Sequence, residues 1–336
     1  MKDIKIAVIG CGKVTEQFHL PALFKTSGVK IEYAVDIAEE RALELSKIYE
    51  IPNISSEFHD IIGKVDAAVV TVPNHLHEHV CTTLLENNIH VLVEKPMALT
   101  VEDCEKMIAT ADENKKVLMV GLVRRYYSSS RYIKMLLDNT MLGTVRSFDF
   151  KEGMIYNWGA VSNFMFNKDT GGGVTYDIGV HVLDLLAWWL GDVKYIEYYD
   201  DAEGGVDANS FFKVELMSGA VGTLEFSRTR MLRNTFRITG DAGILETQNS
   251  PQANVSIGFN DSNYVLSGTI KNGIPAQTSG LLDCFKNQYN DFIESIKLNS
   301  KNPIDGNEGR KSVEMIEQAL SVRQPLSLPW ETFYEQ

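Results

Sequence analysis

No stretch of the 336-residue chain approaches the roughly 20 apolar residues that a membrane span requires, because charge interrupts every candidate. A helical membrane protein is therefore not expected. Cysteine is scarce as well. Cys11, Cys81, Cys104 and Cys284 are scattered, with no Cys-x-x-Cys pair and no Cys/His cluster, so neither structural zinc nor any other metal is expected. Positive charge is in deficit: 32 Lys and Arg against 45 Asp and Glu leave a net charge of −13, which disfavours nucleic acid or an anionic membrane as partner. The opening Met1-Lys-Asp-Ile-Lys5 has no signal-peptide layout, and with so few cysteines a reduced, cytoplasmic protein is expected. Internal repeats and low-complexity linkers are missing too. What remains is a composition ordinary for a globular protein, in a chain long enough for two domains.

The first third alternates strands with helices. Ile4-Lys-Ile-Ala-Val-Ile9 reads as a buried strand, Gly10-Cys-Gly12-Lys-Val-Thr15 as a glycine-rich turn, and the pattern through Phe18 and Leu23 as a helix. That context gives the dinucleotide fingerprint its meaning: Gly10 permits the tight turn and Gly12 lets the backbone meet a pyrophosphate at the helix N-terminus. Thr15 stands at the third glycine position and is expected to loosen the approach of helix to strand. A second strand, Ile31–Val35, ends on Asp36, about twenty residues past the turn, where a carboxylate hydrogen-bonds an adenosine ribose and repels a 2′-phosphate. NAD is thus favoured over NADP, although Arg41 stands near enough to keep NADP open and a plain solvated aspartate is the alternative.

Helix Glu39–Tyr49, strand Ala67–Val72, helix Glu78–Glu86, strand Val91–Val93, a helix from a Thr100-led cap to about Lys115, and strand Val117–Gly121 follow. Such alternation predicts a doubly wound parallel sheet with ligands at the carboxyl ends of its strands. Pro73, Asn74, His77, Glu94 and Lys95 all fall at such ends. Lys95 precedes Pro96, which restricts its backbone and aims its side chain; the plain alternative is a solubilising surface lysine.

Near the middle, Thr170-Gly-Gly-Gly-Val-Thr-Tyr-Asp177 leads into Ile178, Val182, Leu185, Leu186 and Trp189 at helical spacing. The three glycines offer a backbone able to approach a ligand, and a helix is expected from about Asp177. Asp177 and His181 are four apart and share a face, a pairing that suits proton transfer. A helix cap and a core histidine are the alternative readings.

Taken together, Gly10-Cys-Gly12, Asp36, Glu94-Lys95-Pro96 and the Asp177…His181 stretch resemble the glucose–fructose oxidoreductase / inositol dehydrogenase / MocA (Gfo/Idh/MocA) family over nearly the whole chain. The resemblance implies an α/β protein: an N-terminal Rossmann domain, placed at residues 1–122, and a C-terminal α/β domain at 123–336 with a large, mostly antiparallel open sheet. It implies an NAD(P)-dependent oxidoreductase acting on a secondary hydroxyl or ketone of a sugar, cyclitol, sugar acid or sugar nucleotide, and a homodimer or homotetramer formed through the open sheet. By position, Lys95 looks like the motif lysine, and Asp177 and His181 like the substrate-binding and proton-transferring pair. Gly10, Gly12, Lys13 and Val14 would cradle the pyrophosphate, and Thr71, Pro73, Asn74, His77 and Glu94 would line the cofactor. Either His181 or Lys95 would be the base. An NAD-dependent glycosidase working by transient oxidation, or a non-catalytic NAD-binding scaffold, are the alternatives within this fold.

Beyond Gly121, Arg124-Arg-Tyr-Tyr127 is a basic-aromatic cluster. Arg125 and Tyr126 suit a hydroxyl-rich substrate, with an interdomain salt bridge and aromatic packing as the other reading. Trp158, in a loop-like stretch with Tyr156 and Phe164, is expected to bind substrate as that stretch closes over the cleft, with local aromatic packing as the equal alternative. Strands are expected at Arg146–Phe150, Phe211–Leu216, Ala220–Phe226, Thr235–Thr239 and Ile244–Thr247. Arg228, Arg230, Arg233 and Arg237 read as a charged outer or subunit-contacting sheet face rather than a phosphate site. Two amphipathic helices, Leu281–Leu298 and Glu308–Arg323, precede a tail expected to pack back across the domains.

Overall fold

The computed structural model describes residues 2–157, 163–260, 265–268 and 280–327. These divide into two compact units that are not consecutive in the chain. The first takes residues up to Tyr126 and then 280–313; the second takes the intervening stretch and 314–327.

The first unit is built on six parallel strands: β1 (Ile4–Ile9), β2 (Val29–Val35), β3 (Asn53–Ser55), β4 (Ala67–Val70), β5 (His90–Val93) and β6 (Leu118–Val120). Their order is β3-β2-β1-β4-β5-β6, with the reversal of winding between β1 and β4. All four residues of β4 are buried, as in a strand covered on both faces. The connecting helices are α1 (Leu20–Phe24), α2 (Glu39–Tyr49), α3 (His77–Glu86) and α4 (Val101–Glu113). The cap expected at Thr100 is present: its hydroxyl accepts the Asp103 N–H at 3.1 Å. β4 stops two residues short of the expected Val72. Thr71, the next residue, still donates its N–H to Ile9 O at 2.8 Å, and its hydroxyl turns to the end of β1.

The second unit holds α5 (Ser128–Asp138), β7 (Val145–Gly153), α6 (Val180–Leu190) and strands β8 (Val193–Asp200), β9 (Asn209–Leu216), β10 (Val221–Ser227), β11 (Thr235–Gly240), β12 (Gly243–Gln248), β13 (Val255–Phe259), β14 (Val265–Gly268) and β15 (Arg323–Pro325). The nine strands form one sheet in the order β14-β13-β12-β11-β7-β10-β9-β8-β15, antiparallel except at β10·β7 and β15·β8. Burial alternates along β11 and β12, so one face is packed and the other open. The packed face meets α6, which is apolar on nearly every side, as a helix enclosed in a core must be. Phe150, Phe236 and Trp189 interlock there, with ring centroids 4.9–6.0 Å apart.

After β14 the chain returns to the first unit through α7 (Leu281–Leu298), whose Phe285 stacks on Phe18 at 5.3 Å. The expected tail packing falls from residue 328 onward, and Trp158 falls in 158–162; both lie outside the described residues. No described helix is long and apolar enough to cross a membrane.

Candidate active site

The glycine-rich turn leaves β1 at Gly10, whose φ of +98° belongs to glycine. The carbonyl of Gly10 accepts the hydroxyls of Thr15 and Thr71, each at 2.7 Å, and those hydroxyls lie 2.8 Å from one another. Thr15 is fully buried. The expectation that it loosens the approach of helix to strand is therefore corrected: it ties the helix back onto the strand end. The helix begins with a π-helical turn, Thr15–His19.

Asp36 receives the turn from the other side. Its Oδ2 accepts Cys11 N–H at 2.7 Å and its Oδ1 accepts Ala38 N–H at 2.8 Å, which fixes the carboxylate at the end of β2 and leaves each oxygen a further lone pair. Burial, reinforced by Asp36, pushes the Cys11 thiol up to about 12, so it is not a reactive thiolate. Lys13 is half-exposed and paired with Glu16 at 2.7 Å. Pro73 and Asn74 open a short 3₁₀ turn at the end of β4. The ring of His77 is fully buried, with Nδ1 2.8 Å from Pro96 O and Nε2 2.9 Å from Val72 O. Burial holds this imidazole below its ordinary value and so neutral, and its single N–H donates to one of the two carbonyls, bracing a strand-end loop.

Glu94 and Lys95 follow β5. Glu94 Oε2 accepts the Lys95 N–H at 3.1 Å, and Oε1 lies 3.1 Å from His19 Nε2. Gly10, Gly12, Asp36, Thr71, Pro73, Asn74, Glu94 and Lys95 are thus brought to the carboxyl edge of one parallel sheet. Arg125 and Tyr126 are buried: Arg125 pairs with Glu308 at 2.8 Å and the Tyr126 hydroxyl donates to Asp291 at 2.7 Å. Both contacts stay within the first unit, so neither is the interdomain salt bridge of the alternative reading.

In the second unit the glycine run serves the protein's own packing. Gly173 has φ +104°, and a Cβ there would strike the Asp207 carboxylate. Asp207 Oδ2 accepts Thr175 N–H at 2.9 Å while its carbonyl accepts Val174 N–H at 2.8 Å. The room left by the missing Cβ is filled by this anchor rather than kept for a ligand. From it a π-helical turn, Thr175–Gly179, runs into α6, so the helical segment starts earlier than Asp177 and more widely wound. Such turns recur at functional positions. Asp177 and His181 sit on this segment, both partly exposed. The Asp177 carboxylate is ion-paired with the Arg228 guanidinium, which lies over the Tyr156 ring at 5.7 Å. Arg228 stands one residue past β10, where strand alternation no longer assigns a face. Arg230 pairs with Glu225 at 3.3 Å.

Burial pushes the Asp207 carboxyl up to about 6 against the opposing pull of its Thr175 hydrogen bonds, with the charge of Asp200 adding to the rise. The folded state then holds this proton more tightly than the unfolded chain. Its contribution to stability is fullest below the unfolded value near 3.8 and is lost as pH rises to about 6. The loss amounts to about 3 kcal/mol at most. Urea unfolding of the parent and of Asp207→Asn between pH 4 and 7 should show the extra downward slope in the parent alone.

Two family models match the chain: an oxidoreductase family with an NAD-binding Rossmann fold over residues 4–122, and a GFO/IDH/MocA C-terminal domain over residues 130–246. Inositol 2-dehydrogenase of Salmonella typhimurium is 28% identical over 202 residues, 58% of this chain and 57% of that protein. The chain spans about half the length of the curated relatives first matched. The oxidoreductase YrbE of Bacillus subtilis is 22% identical across 97% of both chains. Among solved structures, KijD10, a 3-ketoreductase from Actinomadura kijaniata in complex with NADP and TDP-benzene, superposes with a TM-score of 0.86 at 19% identity, covering 98% of this chain and 100% of that one.

Proposed function

Because the chain belongs to the GFO/IDH/MocA oxidoreductase family, we propose that it is an NAD-dependent dehydrogenase acting on a secondary hydroxyl, or the corresponding ketone, of a sugar, cyclitol, sugar acid or sugar nucleotide. One observation carries this reading: the Gly10 turn, the braced Asp36 carboxylate and Glu94-Lys95 share the carboxyl edge of a sheet ordered β3-β2-β1-β4-β5-β6, beside its topological switch point. The backbone at Gly10 and Gly12 suits a pyrophosphate, and Asp36 suits a ribose with free hydroxyls.

The bound nicotinamide supplies the hydride chemistry. The chain's own residues handle the oxygen and its proton. The Lys95 ammonium polarises the substrate oxygen and stabilises the alkoxide charge that develops on it. His181 takes or returns the hydroxyl proton through a ring nitrogen. Asp177, its carboxylate fixed by Arg228, orients the imidazole or a neighbouring substrate hydroxyl. Arg125, Tyr126 and His77, whose polar ends are engaged inside the first unit, take no part in this scheme.

Native mass spectrometry of the freshly purified protein, followed by identification of what denaturation releases, tests the reading. NAD(H) is the expected ligand. NADP(H) would remove the role given to Asp36 and keep the enzyme class. An empty protein whose melting temperature ignores both dinucleotides would overturn the proposal. In fluorescence titrations, Asp36→Ser should weaken NADH by about tenfold, the worth of a charge-assisted hydrogen bond, and tighten NADPH.

A further inference from the structure

α7 carries a buried phenol into the first unit, and neither the fold nor the scheme above uses it. Tyr289 is 0% exposed, and its hydroxyl lies 2.5 Å from His19 Nδ1. The other ring nitrogen of His19, itself 0% exposed, lies 3.1 Å from Glu94 Oε1. The second oxygen of Glu94, a residue 8% exposed, accepts the main-chain N–H of Lys95. Three polar side chains withdrawn from water therefore run in line from α7 to the motif lysine. One proton order satisfies them all: Tyr289 O–H donates to Nδ1, and Nε2–H donates to the carboxylate. Ring packing holds the line in register. Phe285 meets the His19 ring edge-on at 4.9 Å, and Tyr289 does so at 6.0 Å.

Apolar side chains of similar size would join α7 to this unit at lower desolvation cost, so a buried phenol–imidazole–carboxylate line calls for a function beyond adhesion. We propose that His19 and Tyr289 are positioning residues that keep Glu94 a carboxylate, and that Glu94 in turn fixes the Lys95 main chain and holds its side chain in the ammonium form. The proposal rests on Lys95 being the substrate-facing cation. Burial pushes Glu94 up, but the hydrogen bonds from His19 and from the Lys95 main chain, together with the Lys95 charge, outweigh it and leave the carboxyl below its ordinary range. Among the described residues, His77, at the start of α3, and Tyr289 also feel this carboxylate, and burial and Glu94 together push the Tyr289 hydroxyl upward.

The test reads the charge of Lys95 without a substrate. The intact protein is trace-labelled with acetic anhydride across a pH series, and the labelling midpoint of Lys95 is followed by mass spectrometry in the parent, His19→Phe, His19→Gln and Tyr289→Phe. His19→Phe should lower the midpoint by about one pH unit, the size expected when an adjacent opposite charge is weakened. Tyr289→Phe should lower it by less. His19→Gln, whose amide nitrogen can reach where Nε2 sits, should restore the parent value. A purely structural role would lower the melting temperature and leave the midpoint in place. Parent-like midpoints in both His19→Phe and Tyr289→Phe would overturn the proposal; if His19→Phe does not fold, Tyr289→Phe, which removes one oxygen, decides alone. NADH titration of the parent keeps the two readings apart: failure to bind removes the dinucleotide reading, whereas the midpoints judge the relay.

Discussion

Replacing Gly10 with alanine should destabilise the protein by about 2–5 kcal/mol and weaken NADH binding by at least about a hundredfold. Two costs coincide at this position. The backbone sits at φ +98°, which a residue with a Cβ avoids. An added Cβ would also stand 2.7 Å from Thr71 O and 2.8 Å from Thr71 C and Oγ1. A flexible side-chain tip would swing aside, but a main-chain carbonyl one residue past β4, whose own N–H is tied to Ile9 O, does not. Relief would have to come from moving the turn, and the turn carries the Gly10 carbonyl that accepts both threonine hydroxyls. Urea unfolding and NADH fluorescence titration of Gly10→Ala measure the two effects separately. Parent-like stability would mean that neither the positive φ nor the Thr71 carbonyl constrains position 10.

The same knot shows how far the sequence could be read. The strand–turn–helix at Ile4–Thr15, the carboxylate at Asp36 and the lysine at Lys95 are local signals: a period, a glycine spacing, a residue type at a strand end. Such signals need no knowledge of distant chain, and they place the first sheet and its carboxyl edge. What escapes them depends on partners far away in sequence. Thr15 reads as a flawed third glycine until Thr71 supplies the other hydroxyl. The glycine run before Asp177 reads as room for a ligand until Asp207 fills it. Arg228 reads as one of four arginines on a sheet face, whereas its position just beyond β10 frees it to meet Asp177. His19 and Tyr289 are separated by most of the chain, and nothing in either segment announces the other. α5 opens on Ser128, Ser129 and Ser130, and all three are buried although serine favours caps and turns. Propensity yields there to tertiary packing.

Lys95→Met should lower kcat by about a thousandfold, the upper range for removing one donor aimed at developing oxyanion charge, and leave NADH affinity within a few-fold. The reason for the split lies in how Lys95 is held. Glu94 grips its main-chain N–H, so the strand end keeps its course whatever the side chain becomes. Methionine matches much of the lysine stem and lacks only the charged head. Steady-state NADH formation, on the polyol that a screen of cofactor oxidation state selects, measures the effect. Turnover within tenfold of the parent would remove Lys95 both as the polarising cation and as the base. Lys95→Arg then separates those two roles, because a guanidinium donates and stays charged but does not give up its proton. If Lys95 polarises the oxygen while His181 moves the proton, arginine recovers part of the lost rate and His181→Ala costs a comparable factor. If Lys95 is itself the base, arginine recovers nothing, and the buried line from Tyr289 through Glu94 would then set the pH at which that base is free to act.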